Sequence, residues 1–323
     1  MSFMSSGNND PSAILARSIT RSGSIQTYYT TRLMVDKDLV DDFFRAYAYF
    51  RWIDDVVDVS SQSAEERFSF ISGQRRLIDS LYDKDTIAEL TPEEEILQDL
   101  INNDRGENSG LQSFIRNMFA IIEFDALRKG RLISEAELDW YVSTLGKSVT
   151  DGLLYFIGNG NLYPESENRY QAGSAAHITH LLRDMHQDNA DGFINIPREY
   201  LEEKSISHED LNDPAYKDWV RKRVELAREL FAEGKRYLDE LDVLRCKIVG
   251  YWYCARFEVV LDTIERDEYL LREEYHERRR ISTWLKIIWL AVSLSLRHLF
   301  HRNKPKSSLT TNNSRAKSSV PKR

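Results

Sequence analysis

The chain is short of the residues that divide or cross-link a protein. Its 323 residues include 14 glycines and 7 prolines, and no Pro/Gly/Ser-rich stretch interrupts the middle. A two-domain reading from length alone therefore finds no linker. The 2 cysteines, Cys246 and Cys254, sit eight apart on what reads as one helix, too far along and around it to pair. No ligand spacing accompanies them that would suit zinc, and they fit a reducing compartment. Met1 to Pro11 is polar and lacks the apolar core of a signal peptide. No apolar run approaches the ~20 residues that span a bilayer; the best, between Lys286 and Arg297, has ten uncharged residues. No internal repeat stands out.

Acid is missing from the C-terminal end. Residues 278–323 hold 12 Lys/Arg and no Asp/Glu, so the formal net charge of −8 hides an acidic body of −20. Such a body is odd for a nucleic-acid binder, so no nucleic-acid partner is expected, and it fits an enzyme that takes an anionic substrate through metal ions. In the basic segment, Trp284, Trp289 and Phe300 lie between Arg278–Arg280 and Arg302 to Lys306. Residues 281–300 read as an amphipathic helix lying on a membrane surface, and 301–323 as a disordered basic tail. A snorkelling span and a last core helix are the competing readings. The expected location is cytoplasmic, with peripheral membrane attachment.

What the chain has in quantity is helix-period apolar sequence, which predicts one all-α domain of ten to twelve helices. Ala13–Thr20 reads as a short helix and residues 1–21 otherwise as a flexible tail. Ala64–Tyr82 is amphipathic, with Phe68, Ile71 and Ile78 inward. Thr91, Pro92 and Glu94 form a helix start, and 102–110 a loop. Leu111–Arg128 and Glu135–Gly158 carry dense apolar stripes, as core or as pocket wall. Pro214–Leu244 and Lys247–Glu274 complete the body.

Two acidic pairs stand out from this background. Asp54 and Asp58 lie in RWIDDVVD, and Asp184 and Asp188 in RDMHQD. Spacing of four puts each pair on one helix face, where like charges repel; a cation relieves that. Carboxylates suit Mg²⁺, which binds through one or two of them plus substrate phosphates. Leu39–Val59 is apolar on nearly every face, so Tyr47, Arg51, Asp54 and Asp58 form a polar stripe on a helix expected to be buried. The bland reading is an Arg51–Asp54/Asp55 ion-pair patch in solvent. On the second segment Ile178, Leu182 and Met185 make an apolar stripe beside His177, His180, Asp184 and Asp188; by itself it could be an amphipathic surface helix. Asn189 to Pro197 breaks that helix and runs extended.

These motifs, about 130 residues apart and with the second followed by DGFINIPR, resemble the squalene/phytoene synthase family over roughly Ser22 to Arg280. The resemblance implies a single-domain isoprenoid-synthase bundle around a central cavity, spanning residues 22–280. It also implies Mg²⁺-dependent head-to-head joining of two allylic C15 or C20 diphosphates. Asp54, Asp58, Asp184 and Asp188 would be the metal ligands. Thr27 and Tyr28 stand where the family has a Ser-Phe pair near the diphosphate. The chain departs from the family at His177 and His180, where Gln and Asn are usual, and in Trp140–Val149, where only Gly146 aligns with a Gly-rich stretch. Phe257, with Tyr253 in competition, takes the place of a pocket aromatic.

The implied mechanism is ionisation assisted by metal. Arg51 would take a phosphate oxygen, with Arg183 and one of Arg278–Arg280 as further candidates. Tyr47, Phe50 and Phe257 would face the allylic cation. A squalene-type outcome needs a hydride donor; NADPH is possible, and no G-x-G-x-x-G announces it. Two alternatives stay open: a terpene cyclase of the same fold ionising one prenyl diphosphate, and a non-catalytic, membrane-attached protein that binds prenyl diphosphates or a partner.

Overall fold

The computed structural model describes residues 10–57, 63–87, 89–104, 106–161, 163, 166–276 and 289–296. Among them all regular structure is helical. The order is α1 (Pro11–Gly23), α2 (Ile25–Met34), α3 (Val40–Val57), α4 (Ala64–Tyr82), α5 (Pro92–Asn102), α6 (Gly110–Arg128), α7 (Glu135–Ile157), α8 (Gln171–Asp191), α9 (Arg198–Lys204), α10 (Pro214–Glu240) and α11 (Leu244–Arg266). A further helical turn pair covers 289–296. Local chemistry sets the starts. Ser63/Glu66, Thr91/Glu94 and Ser134/Glu137 each form a capping box, so two otherwise orphaned N–H groups are satisfied at each N-terminus. Gly192 ends α8 in the left-handed region at φ 88°, a conformation that suits glycine.

One half of the bundle is built on α8, which packs against α7, α10 and α11, while α6 backs α7. Small residues let these axes approach. A Cβ on Gly173 would stand 2.6 Å from the Gly146 carbonyl oxygen, and one on Gly234 would meet the Ala172 backbone nitrogen at 2.3 Å. The other half centres on α3, held by α1 and α5. There Arg45, 3% exposed, donates to Asp42 at 2.7 Å and to Asp10. Asn103 donates to the same Asp42 at 2.8 Å. Both cysteines are fully buried and free, and burial pushes their thiols up to about 11 for Cys246 and about 12 for Cys254.

The structure departs from expectation at three places. The short helix expected over Ala13–Thr20 is present but longer, running Pro11–Gly23, so residues 11–21 are not flexible tail; Ala13, Ala16 and Thr20 make its buried face against α3. Phe68 is 57% exposed rather than inward; the buried stripe of α4 starts one turn later at Ile71, with Phe70 against Trp52 at 5.4 Å. The end of α3 is also not buried all round: Asp54, Asp55 and Arg51 are exposed. Asp58, Arg278–Arg280 and most of 281–323, for which the sequence also raised expectations, lie outside the described residues.

Candidate active site

A cavity of about 230 Å³ opens where α3, α6, α7 and α8 converge. Four carboxylates face it: Asp54 from α3, Asp125 from α6, and Asp184 and Asp188 from α8. Val57, Ile122 and Leu181 give it an apolar wall. The expected pairing of acids from two distant segments across one cavity is thus present for Asp54, Asp184 and Asp188, together with His177 and His180.

The two α8 carboxylates are held in opposite states. Burial works against ionised Asp184, yet hydrogen bonds from Arg183 and His180 outweigh it and hold the group below the usual carboxylate range. Arg183 Nε donates to Oδ1 at 2.5 Å, and His180 Nε2 stands 2.8 Å from Oδ2. Burial, then the charge of Asp184, pushes Asp188 up to about 7, although Arg128 and Asn195 pull the other way. Two carboxylates crowded in one cavity, one of them kept from ionising first by burial and then by its neighbour's charge, are a donor set that a divalent cation would relieve. Among the described residues no group of three or more His, Cys, Asp and Glu could by itself hold a metal ion. Hard, separated oxygen donors fit Mg²⁺ held partly by phosphate and water.

Sequence reasoning missed the residues that brace Asp188. Asp125 accepts from Tyr141 Oη at 2.7 Å and from Arg128 Nε at 2.7 Å. Arg128, 2% exposed, donates to Asn195 Oδ1 at 2.9 Å, and Asn195 Nδ2 donates to Asp188 Oδ2 at 2.7 Å. The guanidinium also lies over Tyr141, Phe193 and Phe124, with ring centroids at 4.9, 5.2 and 5.5 Å. The turn after α8 makes this possible: Gly130 N–H donates to the Gly192 carbonyl at 2.8 Å, folding Phe193 and the fully buried Asn195 onto the end of α6. The signal was slight, since Asp125 and Arg128 at i, i+3 look like any helical ion pair.

His177 is placed differently from the others. It is 4% exposed, lines the cavity, and packs edge-on to Tyr141 with centroids 4.7 Å apart. Neither ring nitrogen has a hydrogen-bond partner. Leaving a buried polar group unmet costs about 1–3 kcal/mol. Burial first, then the positive neighbours His180, Arg128 and Arg223, holds its pKa well below the ordinary value, so the ring is neutral.

Other expected site residues do not line this cavity. Arg51 pairs with Asp55 at 2.5 Å and borders a separate recess with Ser18, Ser22 and Gly23, while Tyr47 lies against Gly23. Thr27 donates to Ser24 at 2.8 Å, and Tyr28 stacks on Phe44 at 5.3 Å. Phe257 stands behind His180, with centroids 6.3 Å apart, and packs on Tyr253.

The chain is similar to known proteins in sequence and in fold. The 15-cis-phytoene synthase of Synechocystis sp. (strain ATCC 27184 / PCC 6803 / Kazusa) is 27% identical over 194 residues, 55% of this chain and 56% of that protein. That of Synechococcus elongatus (strain ATCC 33912 / PCC 7942 / FACHB-805) is 25% identical over 126 residues, 38% of this chain and 40% of that one. The chain thus matches about half the length of these curated relatives. In fold it is similar to the squalene synthase HpnC from Alicyclobacillus acidocaldarius, with TM-score 0.65 and 21% identity over 81% of this chain and 95% of that one. It is likewise similar to a dehydrosqualene synthase in complex with ligand, with TM-score 0.62 and 16% identity over 89% and 99%. The squalene/phytoene synthase family model matches residues 21–284, and the chain belongs to that family.

Proposed function

We propose that the chain is a prenyltransferase that joins two allylic prenyl diphosphates head-to-head, with residues 22–280 as the catalytic unit. The observation that carries this reading is the convergence of Asp54, Asp184 and Asp188 on one cavity with an apolar wall. Asp58, four residues beyond Asp54, would extend the first acidic face. Mg²⁺, when bound between these carboxylates and a diphosphate, would supply the charge neutralisation that lets diphosphate leave. Arg183 and His180 orient Asp184, and the chain Arg128–Asn195 orients Asp188. The apolar wall keeps water from the allylic cation, and the Tyr141 ring gives it a π-face. Arg51 and Tyr47 would reach substrate only at the rim, next to α1. Attachment to a membrane surface through the basic segment after Arg278 would suit greasy substrates and products.

The test is Asp54→Asn and Asp184→Asn, assayed with Mg²⁺ and C15 or C20 allylic diphosphate for release of diphosphate. Asp54→Asn removes a charge from a carboxylate cluster, whereas Asp184→Asn also weakens its pairing with Arg183 and His180, so circular dichroism accompanies the assay. Release should fall at least about 100-fold in both folded variants. Turnover within a few-fold of the parent in both variants would sink the assignment.

A further inference from the structure

We propose that His177 is the base that ends the reaction, taking a proton from the joined C1 carbons. The product then carries a double bond at the new junction, and no hydride donor is needed. This rests on the condensation reading above.

The placement of His177 separates it from diphosphate binding. It lies seven residues before Asp184 on α8, about 10 Å along the helix axis at 1.5 Å per residue. Its surroundings are more enclosed, with 4% exposure for His177 against 32% for the Asp184 side chain. Its neighbours on the cavity wall include Tyr141 and Leu181. A histidine kept only for packing would have at least one nitrogen bonded; here both are unmet in a wall that faces the cavity. The ring is neutral at physiological pH, so its lone pair is available. A weak base suffices, because a C–H bond next to a carbocation is strongly acidic.

The step balances without a co-reactant. Departure of the second diphosphate leaves a cation next to the junction carbons. The C1–H bond breaks, its electron pair becomes the C=C bond, and the proton goes to an imidazole nitrogen. The imidazolium then loses the proton to water entering the cavity as the hydrocarbon leaves. Phenylalanine at 177 would fill similar space with no lone pair, and glutamine would keep a polar shape with no basic nitrogen.

The experiment incubates the full chain with Mg²⁺ and C15 or C20 allylic diphosphate, without NADPH, and reads the ratio of hydrocarbon formed to diphosphate released. The parent should form an unsaturated-junction hydrocarbon. His177→Gln and His177→Phe should lower the ratio at least about 100-fold, with a cyclopropylcarbinyl diphosphate or water-trapped alcohols in its place. Circular dichroism melting checks folding, and the near-isosteric Gln variant decides if the Phe variant is unfolded. An unchanged ratio in a folded variant overturns the role of His177 while leaving condensation intact. A parent that yields hydrocarbon only with NADPH, reduced at the junction, overturns it too. No diphosphate release by the parent overturns the condensation reading and this inference with it.

Discussion

Asp188 shows how burial beside a like charge sets the state of a single group. Its folded pKa of about 7 lies above the ordinary 3.8, so the fold favours the protonated acid. The stability this contributes is full below about pH 4 and is lost as pH rises through about 7. In metal-free protein the loss relative to Asp188→Asn should reach a few kcal/mol between those limits and then level off. Urea midpoints of both proteins from pH 4 to 8 in chelator would measure it, and Mg²⁺ at pH 8 should narrow the gap. A pH-independent difference would show that Asp188 is not strained. Residues of this kind were unevenly legible. Asp54, Asp184 and Asp188 could be read because repulsive spacing twice over needs a reason. Asp125 and Arg128 could not, because their meaning comes from Asn195, 67 residues on. Arg51 read as part of a buried stripe because apolar density says nothing of where a helix emerges from its neighbours; it emerges one turn earlier than the stripe required.

At the scale of elements, the crossing of α7 and α8 decides where the carboxylates stand. Ala would normally replace a helical Gly with a gain of about 1 kcal/mol. At Gly173 the added methyl meets the Gly146 carbonyl, and overpacking costs about 1–3 kcal/mol. Gly173→Ala should therefore lower the melting temperature. Gly73→Ala in α4, where nothing lies within 4 Å, should raise it. Thermal melts of the two variants side by side test the claim, and shifts of the same sign would remove the contact from the account. Helix boundaries were legible where Ser/Thr-x-x-Glu caps them, as at Thr91 and Glu94. The same grammar was silent on Gly173 and Gly234, because a glycine that admits another helix looks in sequence like one that admits nothing.

For the whole molecule, the uneven charge is the leading physical fact. An acidic body and a basic C-terminal segment behave as two devices. No helix among the described residues is long and apolar enough to cross a membrane. The helical turns at 289–296 do present Trp289, Val292 and Leu296 at 50% exposure or more. Deleting residues 281–323 should leave the bundle folded and active on detergent-dispersed substrate while abolishing co-sedimentation with anionic vesicles. High salt should weaken the sedimentation of the full chain. Equal sedimentation of both forms would assign attachment elsewhere, and unfolding of the shortened chain would make the segment part of the core.

The two cysteines have a practical consequence. Both are walled off at 0% exposure with thiols raised by burial, so the folded surface is silent toward maleimides and other thiol reagents. A single cysteine introduced at Trp289 or at the exposed Leu33 of α2 therefore supplies the one reactive handle. Fluorophores or spin labels can report from either position without first stripping the natural cysteines from the core.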